Sequence, residues 1–272
     1  MDGLFDDKPV QVTQVSSSQD SQLTVQFLKG NKPKKVTGTD LERLVLRFWL
    51  GENSPQQSAL SHELRIRVSH VNGRDEYRVI HRRPDQTVWS HHCLNPPAEP
   101  PPRPTPPVDL RVSFLPGWSI DAKMAFVSAD DSVVTMACRK GAIATCLDWK
   151  YAPWKQGASA SGATAAEAFG ACLQAKRAAF CIGSGDPRSF TKNGTPIVVG
   201  DREKQAASQN LGDPAFLEAL WNPHGATCLN ASNRRRKDDA DVPAPDCALP
   251  QCTSPQSEWF MKASLSTSVL PQ

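Results

Sequence analysis

Between Gln22 and Trp89, apolar and polar residues alternate in short runs separated by turn formers. A period of two sends successive side chains to opposite faces of a strand, so each run predicts a strand with one buried face. In Gln22–Leu28, Leu23, Val25 and Phe27 alternate with Thr24 and Gln26. Arg43–Leu50 is a second run of strand length. From Glu63 to Val71, Leu64, Ile66 and Val68 alternate with Arg65, Arg67 and Ser69. Asn72-Gly73 follows, and Glu76–His81 resumes the alternation. This is the strongest hairpin signal of the region, because both turn residues tolerate positive φ. Arg83–Gln86 reads as another turn and Thr87–Trp89 as the next strand, completing an antiparallel meander. Residues 1–20, polar and rich in Ser, Gln and Asp, read as a partly disordered lead-in.

The rhythm stops at residues 96–107, PPAEPPPRPTPP, which hold eight prolines. Proline cannot donate to a sheet ladder, and such a run favours an extended polyproline II spacer. Beyond it, Trp118 and the run Ile120–Val127 are placed back in the same sheet. Asp130-Asp131 reads as a turn, Ser132–Ala137 as a strand leading into Cys138, and Gly141–Trp149 as a short helix. Thr164 and Glu167 make a capping box, and Ala165, Phe169, Cys172, Leu173 and Lys176 follow at helical spacing. A helix over 164–180 is predicted. Asn193-Gly194 signals a second hairpin within Ser189–Val199. Asp213-Pro214 reads as a cap and first turn of a helix carrying Phe216, Leu217, Leu220 and Trp221, ended by Asn222-Pro223. The expected organisation is a lead-in (1–20), an N-terminal β region (21–95), a proline-rich linker (96–107), an α+β domain (108–252) and a tail (253–272). The fold class expected is α+β: an antiparallel sheet with one or two short helices and disulfide-stapled loops.

Composition changes this picture mainly through cysteine. Eight cysteines, Cys93, Cys138, Cys146, Cys172, Cys181, Cys228, Cys247 and Cys252, lie in the C-terminal two thirds of a 272-residue chain. Disulfide frameworks belong to oxidising compartments. Structural zinc usually announces itself as C-x2-C, which does not occur here. The nearest approach to a metal cluster, His91-His92-Cys93, has no second half. Eight disulfide-bonded cysteines and no metal are therefore expected; the pairing is open, with on the order of a hundred possibilities. The opening MDGLFDDKPV lacks the basic and apolar regions of a signal peptide, so the expectation is a trimmed form whose native signal was replaced by Met1. No window reaches the roughly 18 apolar residues of a membrane span. The net charge of +3, with signs interspersed, argues against a nucleic-acid surface. The one basic run, Arg234–Lys237, is followed by Asp238 and Asp239 and reads as a solvated loop.

One set of residues stands out by order and spacing: Trp89 with Cys93, Gly117-Trp118, Ala137-Cys138, Gly141–Ala144 with Cys146, Trp149, Tyr151, Pro153-Trp154, Cys172, Cys181, Gly194–Ile197 with Asp201, and Glu218, Trp221, Gly225-Ala226 and Cys228. Over Trp89–Cys228 this set resembles the ADYC-domain family. The resemblance implies an exported bacterial protein, in many members a lipoprotein, with no assigned activity. The naming tetrapeptide, Ala-Asp-Tyr-Cys, stands here as Ala178-Ala179-Phe180-Cys181. Carboxylate and phenol are both gone and the cysteine remains, which favours a structural role for the motif or a binding role for this chain.

Candidate chemistry is sparse. Cys172 with His224 as base would make a nucleophile, but Cys172 belongs to an even cysteine set on an apolar helix face. Asp148, Asp186, Asp201 and Glu218 are candidate acids in the matched region, and nothing in the sequence brings two of them together as glycoside hydrolysis requires. Gly183–Asp186 matches neither a phosphate loop nor G-x-S-x-G. Trp149, Tyr151 and Trp154 cluster around Pro153 and either stack on a partner or plug the core. The leading expectation is an extracytoplasmic binding or assembly protein of the bacterial envelope using that aromatic surface. Its home is the periplasm, the outer-membrane surface or the medium, and its only membrane contact an N-terminal lipid anchor. No cofactor is implied. A cell-envelope hydrolase using carboxylates near Asp186 and Asp201, and a secreted effector, are the alternatives.

Overall fold

The computed structural model describes residues 2–18, 22–49, 61–94, 109–155, 163–191, 195, 197–201, 216–239, 241–252 and 264–269. The proline-rich linker and the Asn193-Gly194 turn lie outside them. Two compact units divide the chain: one takes residues 1–118 and 130–144, the other 119–129 and 145–272.

The first unit is built on a sheet whose strands are β1 (Asp2–Phe5), β2 (Lys8–Ser17), β3 (Leu23–Lys29), β4 (Lys32–Thr37), β5 (Leu44–Trp49), β6 (Ser61–Val71), β7 (Arg74–Arg82), β8 (Ser90–His91), β9 (Arg111–Ile120) and β10 (Val127–Cys138). Their spatial order is β10-β9-β7-β6-β5-β1-β2-β3-β4, with β8 beside β7. β1 pairs antiparallel with β2 and β5, β3 with β2 and β4, β6 with β5 and β7, and β7 with β8 and β9. The Asn72-Gly73 turn joins β6 and β7 as expected, both residues at positive φ, with Val71 opposite Arg74. The alternation puts Phe5, Val10, Val25, Phe27, Leu46, Leu64, Ile66 and Val79 into one core. Fully burying one such side chain contributes about 1.5–3 kcal/mol. The Leu23 N–H donates to the Tyr77 hydroxyl at 2.9 Å, so β7 meets β3 across the four strands between them and the sheet curls over its own core.

Several expectations are corrected here. The lead-in is sheet: Asp6 and Asp7, both left-handed, turn β1 into β2, and Val10 and Val12 are buried. Its apolar positions are few, but Phe5, Val10 and Val12 fall on the inner face. Thr87–Trp89 is not a strand; the paired residues are Ser90 and His91. Trp89 is instead flanked by the Arg65 and Arg82 guanidiniums, 4.9 and 4.7 Å from its ring. Asp130-Asp131 lies inside β10, where Asp130 accepts from the Ser132 N–H and hydroxyl.

The second unit holds helix α2 (Ala165–Arg177) against a smaller sheet of β11 (Ile197–Asp201), β12 (Leu217–Asn222), β13 (Gly225–Leu229) and β14 (Leu265–Val269), ordered β11-β14-β12-β13 and antiparallel. Preceding it, α1 (Ala142–Asp148) crosses from one unit's residues to the other's. The capping box of α2 is present, with Thr164 and Glu167 exchanging bonds. The expected helix over Phe216–Trp221 is the strand β12. Its apolar run is buried on both faces, and a short run of that kind carries no period to separate helix from strand. The expected tail contains β14, which lies between β11 and β12. Measured against an α+β expectation, the protein is mostly antiparallel β with few short helices.

All eight cysteines are paired: Cys93–Cys138, Cys146–Cys172, Cys181–Cys247 and Cys228–Cys252. Each bridge closes within one unit. Among the described residues no helix is long and apolar enough to cross a membrane.

Candidate functional site

The aromatic segment begins where α1 ends. Lys150 takes a left-handed conformation, and the Trp149, Lys150 and Tyr151 N–H groups return to carbonyls of Thr145, Leu147 and Cys146. The Cys146–Cys172 bridge ties this turn to the middle of α2. Tyr151 and Ala152 are buried, so the phenol belongs to the interior and not to a surface. Trp149 and Trp154 are half-buried. The Lys176 ammonium lies 5.7 Å from the Trp149 ring, within cation–π range. Burial, and then the Arg235 charge, hold the Lys176 pKa below its ordinary value. The Trp154 indole N–H is sealed from solvent and finds no acceptor among the described residues. Two of the three rings of this segment are partly open and the third is closed.

The tetrapeptide Ala178–Cys181 follows α2 directly. Ala178 is left-handed, its N–H donates to Ala175 O and that of Ala179 to Gln174 O, a Schellman termination. Phe180 then stacks on Trp221 at 5.2 Å and tilts against Phe190 at 5.4 Å. Cys181 bridges to Cys247. Gly225, at φ +115, lets β13 approach: a Cβ there would lie 3.0 Å from Phe180 O. In this chain the motif ends a helix, fills the core and anchors the segment around Cys247.

Beneath it lies a sealed polar network that the sequence reading missed. Arg235 and Glu218 are both fully buried. Arg235 Nε and Nη2 donate to the Glu218 carboxylate, Nη2 also to Ala175 O, and the Arg235 N–H to Glu218 Oε1. Thr267 donates its hydroxyl to Glu218 and accepts from the Trp221 indole at 2.8 Å. A fork-shaped guanidinium satisfied on this many sides is a structural tie between α2, β12, β14 and the 234–235 turn. The solvated-loop reading of the basic run is therefore wrong for Arg234 and Arg235, which are buried; the acids nearby in sequence hid a partner seventeen residues upstream.

The other candidates separate. Cys172 is bonded to Cys146 and cannot act as a nucleophile. Asp186 is held by Arg188, which also bonds Asp246; that first hydrogen bond keeps the Asp186 pKa below its ordinary value, the opposite of a general acid. Asp201 ends β11. Cys181, Asp186 and Asp246 group within metal-ligand reach, but the sulfur is in a disulfide and Arg188 occupies the carboxylates. In the first unit His62, His81 and His92 stand in a row, with ring centroids 5.6 and 5.9 Å apart. Their ring nitrogens do not form a three-membered group within ligand reach, and Cys93 beside them is bridged to Cys138.

These features define a disulfide-stapled, mostly antiparallel β protein whose signature tetrapeptide ends a helix and supplies a bridge cysteine. A family model described as the ADYC domain matches residues 38–235, and the chain belongs to that family. No curated protein and no solved structure matches it.

Proposed function

We propose that this is an extracytoplasmic binding or assembly protein of the bacterial envelope, and that Trp149 and Trp154 are its contact residues. The compartment is supported by four disulfides and no free cysteine, the pattern of an oxidising environment. The observation that carries the contact is the pair of half-buried indoles on a turn pinned by the Cys146–Cys172 bridge. A rigid aromatic anchor loses little conformational freedom on binding, which is why such residues dominate interface energetics. The salt-bridged state of Asp186 gives no support to a hydrolase.

The test is photocrosslinking from positions 149 and 154 in the intact protein within cells, with exposed Val88 as the control position. One discrete adduct from both test positions, absent at Val88 and lost when the neighbouring tryptophan is also changed to Ala, supports the reading. Adduct patterns identical at all three positions overturn it.

A further inference from the structure

Arg234 is the anomaly of the second unit. Its side chain lies in the interior, only 7% of the residue exposed, and its Nη1 is sealed from solvent with no hydrogen-bond partner among the described residues. Its neighbours are accounted for. Arg235 holds Glu218, Arg236 holds Asp239, and Arg188 holds Asp186 and Asp246. No carboxylate among the described residues is paired with Arg234. What it does have is an aromatic face: the guanidinium carbon lies 6.0 Å from the Phe190 centroid. Cation–π attraction of this kind is small against the cost of burying an uncompensated charge.

The same ring connects Arg234 with the surface. Arg188, 42% exposed, stands 5.5 Å from the Phe190 centroid. On the turn that precedes Arg234, the Asn230 side-chain oxygen is buried and also unpartnered, while its amide nitrogen donates to Leu217 O. Among the described residues, the unit thus keeps one buried guanidinium nitrogen and one buried acceptor with no partner for either.

We propose that Arg234, behind Phe190, is a binding site for a small oxyanion, a carboxylate or a phosphate group, that completes the charge balance of this unit. A guanidinium fork matches either group with paired N–H···O bonds. The site is distinct from the Trp149–Trp154 contact and does not depend on it.

The experiment is thermal unfolding of the whole, oxidised protein in chloride, acetate and inorganic phosphate at matched ionic strength. It is run on the natural chain, on Arg234→Met and on Arg236→Met as the surface control. The expected result is a saturable rise in melting temperature with phosphate or acetate in the natural chain and in Arg236→Met. In Arg234→Met that response is lost, and its melting temperature in chloride is above that of the natural chain, since a buried unpaired charge is gone. A response to acetate alone identifies a carboxylate ligand, and one to phosphate alone a phosphoryl ligand. Absence of any effect beyond chloride overturns the proposal, as does an effect that survives in Arg234→Met. Should Arg234→Met not fold, isothermal titration of the natural chain and of Arg234→Lys with the same anions decides it. Saturable binding weakened at least tenfold in the Lys variant supports the site, and equal or absent binding removes it.

Discussion

Glu218 and Arg235 make the case that single residues can carry a fold without touching any ligand. Replacing Glu218 with Gln leaves the buried Arg235 guanidinium uncompensated, and breaking one side of such a pair costs about 3–5 kcal/mol. Urea unfolding of Glu218→Gln should show a loss of that size, while a Glu218→Met/Arg235→Met double variant loses clearly less. Equal losses would mean that packing, not charge, sets the effect. The histidine row gives a second prediction. Burial, then His92 and His62, hold the His81 pKa below 6.5, and burial does the same for His92. Folded pKa values lower than the unfolded ones mean that the unfolded chain binds protons first as pH falls. Stability from these groups is intact above about pH 6.5 and declines below it. A stability–pH curve between pH 7.5 and 5 should fall, and His81→Gln should flatten it; an unchanged slope would show that His81 does not contribute. Nothing in the sequence flagged this row, because His62, His81 and His92 are brought together only by the β6–β7 pairing and the β8 return.

At the scale of elements, strands with a clear period of two were legible and buried runs were not. β3, β6 and β7 alternate because one face meets the core and the other water, and the capping box of α2 marks a helix start by its own chemistry. β12 has two covered faces, so Leu217–Trp221 gave no period and its proline-flanked boundaries suggested a helix. The N-terminal strands were hidden because their inner positions are small in number and lie among Ser and Gln. The aromatic segment was legible only as a cluster, because the burial of Tyr151 depends on its tertiary surroundings, which local sequence does not carry. The bridges supply a test at this scale. Cys181–Cys247 spans 66 residues and Cys146–Cys172 spans 26. Chain entropy makes the longer loop worth about 0.8 kcal/mol more, within a usual range of about 2–4 kcal/mol per bridge. Paired Ser variants at each bridge, compared by denaturant unfolding, should rank in that order.

The whole molecule is two units joined by three passages of the chain, with each disulfide confined to one of them. Bridges of this kind constrain each unit separately. Serine replacement of Cys93 and Cys138 should therefore speed hydrogen exchange across β6, β7 and β9 and leave α2 and β12 protected. Uniform acceleration would show that the two units unfold as one. The position of β14 has a further consequence, which concerns timing. Every described strand of the first unit is in place by Cys138, but the second sheet waits for Leu265–Val269 to lie between β11 and β12. A chain emerging from a ribosome or a translocation pore can close the first sheet early, while the second remains an unzipped surface with a buried ion pair still to assemble. For this protein the vulnerable interval runs from the emergence of β12 to that of β14, when a chaperone or a protease would find β11 and β12 without the strand that joins them.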